Sequence, residues 1–279
     1  MKNPDVILSI AGSDPSGGAG IQADIKTISA LGSYAAAAIT AVTAQNTQTV
    51  SLVQYMPSTL VRDQIKAVLD DLDVKAIKIG MTGQYDTIKA ISSLLLKRRD
   101  LPIVLDPVMV STSGRRLTDD KALRALPLFL LPLSRLSTPN LHEASVLLGA
   151  KVRTVDDMRQ AARALHGRHQ CAFLIKGGHV EGDEMVDVLY DGEFHYFTAP
   201  RIETPNLHGT GCTLSSAIAT FIGRGYELHD AVREAKDYLS RALQAGSQLR
   251  IGHGNGPLWH LTDQFPVAEE LSLIHISEP

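Results

Sequence analysis

The chain has 279 residues, of which 44% are apolar and 20% are charged, and its formal net charge is −3. This balance is typical of a globular protein, and the length suits one α/β domain with a large core. No basic run or aromatic-basic stripe occurs, which argues against nucleic-acid binding. No apolar run reaches the roughly 18 residues of a membrane span, and the two cysteines are Cys171 and Cys212. We therefore expect a cytoplasmic protein in a reducing compartment, with neither a membrane nor a nucleic acid as partner.

Short apolar runs alternate along the chain with longer segments of helical period. Residues 6–10 predict a strand, and Ile21, Ile25 and Ile28 then recur at helical spacing before Gly32. Further predicted elements follow in chain order: a buried run at 35–42, a helix at 61–72, strands at 76–79, 103–105, 136–138 and 173–175, and a strongly helical block within 212–250. Such alternation predicts βαβ units and a parallel sheet that is covered on both faces.

A hairpin is predicted late in the chain. Residues 186–190 and 194–197 flank Asp191-Gly192, a pair that suits a type I′ turn. No internal repeat or low-complexity linker divides the sequence, so we expect a single domain over residues 1–266. Residues 267–279 lack a periodic pattern, and we expect them to be a disordered or non-native tail.

The sharpest local signal is His-Gly-Thr-Gly-Cys-Thr at 208–213, directly before a run of small residues. The two glycines allow main-chain amides to converge, and the positive end of the following helix favours an anion at that point. Taken alone, the segment fits an ordinary glycine turn capped by threonine equally well. The sequence lacks GxxxxGK(S/T), HExxH, GxSxG and dinucleotide motifs, and its histidines lack zinc-ligand spacing. A nucleotide enzyme of this sequence must therefore hold phosphates in another way.

Seven blocks in fixed order carry a family resemblance: AGSDPSGGAGIQAD at 11–24, TAQNT at 43–47, KIGM at 78–81, LDPVM at 105–109, TPNLHE at 138–143, KGGH at 176–179 and HGTGCT at 208–213. From about residue 6 to about residue 257, the chain resembles the hydroxymethylpyrimidine phosphate kinases. The resemblance implies a ribokinase-like three-layer α/β/α sandwich with a mainly parallel central sheet. It also implies an ATP- and Mg²⁺-dependent kinase of thiamine biosynthesis that phosphorylates hydroxymethylpyrimidine and then its monophosphate, and that forms a homodimer.

The same resemblance implies that the substrate contacts Ala19, Asp24, Gln45, Met81 and Val108. The Gln45 amide offers one acceptor and two donors, which can pair with the ring nitrogen and the exocyclic amine of an aminopyrimidine. The alternative for Gln45 is a solvated loop residue. Met81 and Val108 would flank the ring, although plain core packing explains such residues nearly as well.

For the nucleotide, the resemblance implies that Asn140, Glu143, Lys176 and Thr210 bind ATP, and that Asp106 and Glu143 organise the metal. Asn140 and Glu143 are three residues apart on a starting helix, so they can act together through water on a hard cation. They also fit a helix N-cap with its capping-box partner. Asp106 and Lys176 end predicted strands, where parallel sheets gather ligands.

Cys212 stands where most ribokinase-like enzymes carry aspartate, and the hydroxymethylpyrimidine kinase branch resembles this chain in having cysteine. A thiol at a helix N-terminus can have a lowered pKa, so we expect Cys212 to be the base, with Gly209, Thr210 and Gly211 in the same catalytic segment. The amides of Gly209, Gly211 and Cys212 would form the anion hole. A buried structural cysteine is the alternative.

Two other functions fit much of this pattern. A pyridoxal kinase shares the fold, and Gln45 separates the two substrates because the pyridoxal ring has no exocyclic amine. A catalytically silent pyrimidine-binding protein is the second alternative, although it would not need the charged residues expected around ATP. The kinase hypothesis requires Gln45 to lie close to Thr210 and Gly211, in one cleft.

Overall fold

The computed structural model describes residues 3–111, 114–178 and 184–262. The expected tail at 267–279 and His179 of the KGGH block lie outside the described residues. The strands of the described residues are β1 (Val6–Ser13), β2 (Tyr34–Gln45), β3 (Val50–Tyr55), β4 (Val74–Ile79), β5 (Ile103–Leu105), β6 (Leu136–Ser137), β7 (Ala172–Ile175), β8 (Glu184–Tyr190) and β9 (Phe194–Pro200). They form one nine-stranded sheet in the order β3-β2-β1-β4-β5-β6-β7-β8-β9.

The centre of the sheet is parallel and its edges are antiparallel. The strands from β2 through β1, β4, β5 and β6 to β7 pair in parallel, whereas β3, β8 and β9 each run antiparallel to a neighbour. This arrangement confirms the expected mainly parallel sheet. Parallel neighbours need a crossover connection, which the helices between the central strands supply.

The helices are α1 (Gly20–Ala30), α2 (Ser58–Asp71), α3 (Tyr85–Leu95), α4 (Asp120–Phe129), α5 (Leu141–Leu148), α6 (Val155–His169), α7 (Thr210–Gly223) and α8 (Leu228–Gly246). A 3₁₀ turn at Leu131–Leu133 follows α4. Among the helices of the described ranges, none has the length and apolar character needed to cross a bilayer.

Two apolar cores lie on opposite faces of the sheet. Leu8 and Ile77 belong to the core that packs against α2 to α6, whereas Ile7 and Ala76 belong to the core under α1, α7 and α8. Successive residues of a strand point to opposite faces, so each central strand contributes to both cores. This explains why these strands are nearly continuous apolar runs, and it confirms the three-layer α/β/α sandwich.

Two local features differ from the prediction. The β8–β9 hairpin pairs Tyr190 with Phe194, so the connection spans Asp191, Gly192 and Glu193 rather than a two-residue type I′ turn. The edge strand β3 was not predicted because its run is short and does not alternate regularly between apolar and polar residues. Neither difference affects the central strands that position the site.

Candidate active site

The predicted site residues gather at the carboxyl ends of the parallel strands. Gln45 is the last residue of β2, and Met81, Asp106 and Lys176 follow β4, β5 and β7 directly or after one residue. In an open parallel sheet these ends meet along one edge, where ligands bind. The fold therefore brings together blocks that lie far apart in the sequence.

Glycine geometry fixes the start of α7 at this edge. Gly209 is the N-cap residue and has a φ of +85°, a conformation that L side chains rarely adopt. A Cβ atom at Gly209 would lie 1.8 Å from the carbonyl oxygen of Gly18. The Gly-rich turn after β1 therefore packs directly on the backbone that opens α7. The first-turn amides of α7, with the positive end of the helix dipole, are available for an anion at this point.

Asp106 and Lys176 form an ion pair beside this helix start. Lys176 Nζ donates to Asp106 Oδ1 at 3.0 Å, and the Thr138 hydroxyl donates to the same oxygen at 3.2 Å. A Cβ atom at Gly211 would lie 3.2 Å from Lys176 Nζ. Burial alone would lower the pKa of Lys176, but Asp106 and Glu143 outweigh it and hold the pKa above its ordinary value. A charged amine thus lies in contact range of the first turn of α7.

Asn140 and Glu143 form a reciprocal capping box at the start of α5. The Asn140 side chain accepts from the Glu143 N–H, and the Glu143 carboxylate accepts from the Asn140 N–H, both at 2.9 Å. The capping alternative is therefore realised. Glu143 is also buried beside the ion pair: burial raises its pKa to about 7, Lys176 lowers it and Asp106 raises it further. The capping role keeps this carboxylate within the electrostatic range of Asp106 and Lys176.

Cys212 lies in the first turn of α7 and is partly exposed. Burial raises the pKa of its thiol to about 11, with Lys78 acting in the opposite direction and Asp24 and Asp106 adding to the rise. The expectation of a lowered pKa is therefore wrong in direction, because desolvation and two carboxylates outweigh the helix terminus and Lys78. The free enzyme carries Cys212 as a thiol at neutral pH.

Asp24 lies beneath the site as half of a buried ion pair. Neither Asp24 nor Lys78 has any exposed surface, and Lys78 Nζ donates to both carboxylate oxygens at 2.8 Å. The hydroxyls of Ser9 and Ser216 donate to the same carboxylate at 2.6 and 2.7 Å. The expected direct contact between Asp24 and substrate therefore needs correction. In this structure the carboxylate is enclosed and fully engaged with protein donors from β1, β4 and α7.

Gln45 lies close to the start of α7. Its Nε2 atom is 3.3 Å from Nε2 of His208, which is two residues before Thr210. His208 Nε2 is also 2.8 Å from Asp14 Oδ2. The expected closeness of Gln45 to the Gly-Thr-Gly segment is therefore present through His208. The Thr210 hydroxyl itself donates to the carbonyl oxygen of Leu207 at 2.6 Å, which stabilises the turn into the helix.

The remaining predicted substrate residues, Met81, Val108 and Ala19, make structural contacts of their own. Met81 is buried in a small apolar cluster with Ala41, and Val108 packs against that cluster. The Ala19 N–H donates to Asp14 Oδ2 at 2.9 Å, so Ala19 belongs to the turn that opens α1. The packing alternative for Met81 and Val108 is therefore present in the structure, and their contact with a heterocycle stays a prediction.

Three polar residues that organise this site were not predicted from the sequence. His208 and Asp14 lie inside the recognised blocks but were not assigned a role, and Lys78 opens the KIGM block. A lysine inside the predicted strand at 76–79 was the one available signal for Lys78, because an isolated buried ammonium requires a carboxylate partner. No local pattern indicates that His208 meets Asp14, since the two are 194 residues apart in the chain.

This fold and this edge of charged and glycine residues define the ribokinase-like class of small-molecule kinases. Within that class, the chain belongs to the phosphomethylpyrimidine kinase family, whose sequence model matches residues 14–259. The chain is 49% identical over 257 residues to the hydroxymethylpyrimidine/phosphomethylpyrimidine kinase of Rhizobium meliloti, covering 91% of this chain and 96% of the relative. It is 45% identical to the thiamine biosynthesis bifunctional protein of Geobacter sulfurreducens, covering 91% of this chain but only 52% of that longer protein.

Solved structures agree with this membership. The phosphomethylpyrimidine kinase of Clostridium difficile superposes with a TM-score of 0.76 at 40% identity, covering 86% of this chain and 99% of that one. The pyridoxal kinase of Bacillus subtilis, solved as an ADP complex, superposes with a TM-score of 0.85 at 34% identity, covering 92% and 98%. The family resemblance seen in the sequence is therefore confirmed.

Proposed function

We propose that the chain transfers the γ-phosphoryl group of ATP to the hydroxymethyl oxygen of 4-amino-5-hydroxymethyl-2-methylpyrimidine, and then to the phosphate so formed, in thiamine biosynthesis. The observation that carries this proposal is the contact of the Gln45 amide with His208, two residues before the start of α7. An amide suits an aminopyrimidine, and a glycine-rich helix start suits a phosphoryl group. The names of the relatives support the same activity.

The residues at this edge of the sheet have distinct roles in the proposal. Phosphoryl transfer depends mainly on positioning and charge neutralisation, which the first-turn amides of α7 and the Lys176 ammonium would provide. Asn140 and Thr210 would help to position the nucleotide. Cys212 would receive the substrate proton only in its thiolate form, after the thiol has released its own proton to solvent; Lys78 favours this form, but the raised pKa makes it a minor species at neutral pH.

Mg²⁺ is part of the proposal, and the residues present fit it. Asp106 and Glu143 are carboxylates with hard oxygen ligands, buried side by side at the carboxyl edge. No group of three or more potential ligand side chains occurs within the described residues, which suits an ion that takes one or two carboxylates plus water and phosphate oxygens. When bound, Mg²⁺ would neutralise charge on the transferring phosphate.

A homodimer and a cytoplasmic location complete the proposal. The cytoplasmic location agrees with the two free cysteines, Cys171 and Cys212. Size-exclusion chromatography with light scattering tests the dimer.

The activity is tested by ADP release from purified enzyme with hydroxymethylpyrimidine, its monophosphate and pyridoxal as acceptors. We expect both pyrimidines to be phosphorylated in the presence of Mg²⁺. Pyridoxal is the second candidate acceptor because the Bacillus subtilis pyridoxal kinase shares the fold closely. Gln45→Met should reduce kcat/KM for hydroxymethylpyrimidine by roughly 5- to 150-fold, since a buried unpaired polar group costs about 1–3 kcal/mol, and should affect pyridoxal much less. Equal losses on the two acceptors would contradict the substrate assignment.

A further inference from the structure

The side-chain amide of Gln45 lies between two protein groups. One end of the amide, Nε2, is 3.3 Å from His208 Nε2, and the other end, Oε1, is 3.2 Å from the Thr43 hydroxyl. The two ends of an amide have nearly the same shape, so hydrogen positions on the neighbouring groups decide which end points where. Those positions follow from the other contacts of Thr43 and His208.

The hydrogen on the His208 side belongs to the imidazole. His208 Nε2 lies 2.8 Å from Asp14 Oδ2, and an ionised carboxylate can only accept. Burial alone would raise the pKa of Asp14, but hydrogen bonds from His208 and Ser16 outweigh it and hold the pKa below its ordinary value, so Asp14 is ionised. His208 Nε2 therefore carries a hydrogen in either charge state, and it cannot accept one from the Gln45 NH₂ group.

The hydrogen on the Thr43 side is already used. The Thr43 hydroxyl has one hydrogen and two oxygens in reach, and it donates to the nearer one, the carbonyl oxygen of Ser13 at 3.0 Å, rather than to the Gln45 atom at 3.2 Å. Towards Gln45 the hydroxyl therefore presents a lone pair, which needs a donor. The two ends thus give the same answer independently: the group facing Thr43 must be the NH₂ of Gln45, and the group facing His208 must be its oxygen.

We propose that His208, held by Asp14, fixes the Gln45 amide with its oxygen towards His208 and its nitrogen towards Thr43, and thereby selects the hydrogen-bond pattern of the heterocycle. This proposal rests on the proposed function, in which Gln45 pairs with the substrate ring. His208 is a positioning residue, because it acts on the substrate through Gln45.

The fixed amide accepts one pattern and rejects its mirror image. The remaining lone pair of the Gln45 oxygen can accept from an exocyclic amine on the His208 side, while the second N–H donates to the adjacent ring nitrogen on the Thr43 side. A 4-oxo ring presents the reverse pattern, with an oxygen acceptor beside a ring N–H donor. Pairing with it would require the amide to turn over, which sets its NH₂ against the His208 N–H. Specificity of this kind comes from a clash with the wrong ligand as well as a match with the right one.

The surroundings hold His208 in place. A Cβ atom at Gly18 would lie 2.4 Å from Cδ2 of the His208 ring, so the ring packs flush against the Gly18 backbone. The His208 N–H donates to the carbonyl oxygen of Gly256 at 3.0 Å. Both the ring and the main chain of His208 are therefore fixed by other segments, and Gln45 is the group that adapts.

The test compares kcat/KM for 4-amino-5-hydroxymethyl-2-methylpyrimidine with kcat/KM for its 4-oxo counterpart, or the inhibition constant of the latter where turnover is too slow. His208→Leu removes the ring N–H at similar volume, and His208→Gln restores a donor towards Asp14. We expect His208→Leu to lower the amino-to-oxo ratio at least about tenfold, because one buried donor clash is removed. For His208→Gln, the amino-to-oxo ratio should stay within about threefold of the ratio for the unaltered enzyme.

If His208 had a purely structural role, its replacement would reduce kcat/KM for both substrates in proportion and leave the ratio unchanged. That result would overturn the proposal. Thermal unfolding of each variant shows whether it is folded. Thr43→Val, which removes the acceptor at the other end of the amide, provides a second variant that should also lower the ratio. An unchanged ratio in Thr43→Val, if His208→Leu does not fold, would equally overturn the proposal. Absence of turnover of the aminopyrimidine by the unaltered enzyme would instead refute the proposed function.

Discussion

The buried ion pair beneath the site gives the strongest quantitative prediction. Lys78 and Asp24 have no exposed surface, and Lys78 Nζ lies 2.8 Å from both carboxylate oxygens. At an effective dielectric constant of about 20, one pair of unit charges at that separation attracts with about 6 kcal/mol, most of which offsets the cost of desolvating both groups. Removing one partner leaves the other charge buried and unpaired.

We expect Lys78→Met to lower the free energy of unfolding by about 3–5 kcal/mol, measured by urea denaturation, with a fall in Tm of roughly 6–20 °C. The matched control is Lys66→Met, which removes an i,i+4 pair with Asp70 whose side chains are 59% exposed. That change should cost at most about 1 kcal/mol. The double variant Lys78→Met/Asp24→Asn should recover part of the loss, because it also removes the orphaned charge.

Equal losses for Lys78→Met and Lys66→Met would refute this reasoning. They would mean that solvent or local rearrangement neutralises Asp24 when Lys78 is absent. A double variant no more stable than Lys78→Met would point the same way, since the cost would then come from lost packing rather than from an unpaired carboxylate.

Three further predictions follow from the site. Gly209→Ala and Gly32→Ala impose the same strained φ, but only at Gly209 does the new Cβ meet backbone, at 1.8 Å from the oxygen of Gly18. Gly32→Ala should therefore cost about 1–2 kcal/mol in unfolding free energy and spare activity, whereas Gly209→Ala should abolish activity; equal effects would contradict the close approach. Iodoacetamide should modify Cys212 slowly at pH 7.5, with a rate that rises about tenfold per pH unit towards pH 10, because the pKa of its thiol is raised to about 11. A rate that is already maximal at pH 7.5, followed by mass spectrometry, would contradict the raised pKa. Burial raises the pKa of Glu143 to about 7 from 4.5, so its contribution to stability is complete below pH 4.5 and is lost as the pH rises through 7. In metal-free buffer the free energy of unfolding of the enzyme should fall by up to about 3 kcal/mol between pH 4.5 and pH 8, relative to that of Glu143→Gln. Parallel profiles of unfolding free energy against pH for the two proteins would exclude this.

Much of the fold could be predicted because burial on both faces leaves a direct mark on the sequence. The central strands are apolar throughout, and the helical spacing of Ile21, Ile25 and Ile28 gave α1 close to its observed bounds. The edge strand β3 and the length of the β8–β9 turn were not predicted. The β3 run is short and does not alternate regularly, and turn length depends on the pairing register, which a local pattern does not fix.

The sequence by itself determined the family and the central strands, because the ordered motif blocks and burial on both faces of the sheet leave local marks on it. Only the tertiary structure decided how the charges pair. It enclosed Asp24 with Lys78, brought His208 to Asp14, and gave the pKa of Cys212 a rise where a local argument indicated a fall. Desolvation and charge pairing depend on every group within a few ångströms, and those groups come from segments that are distant in the chain.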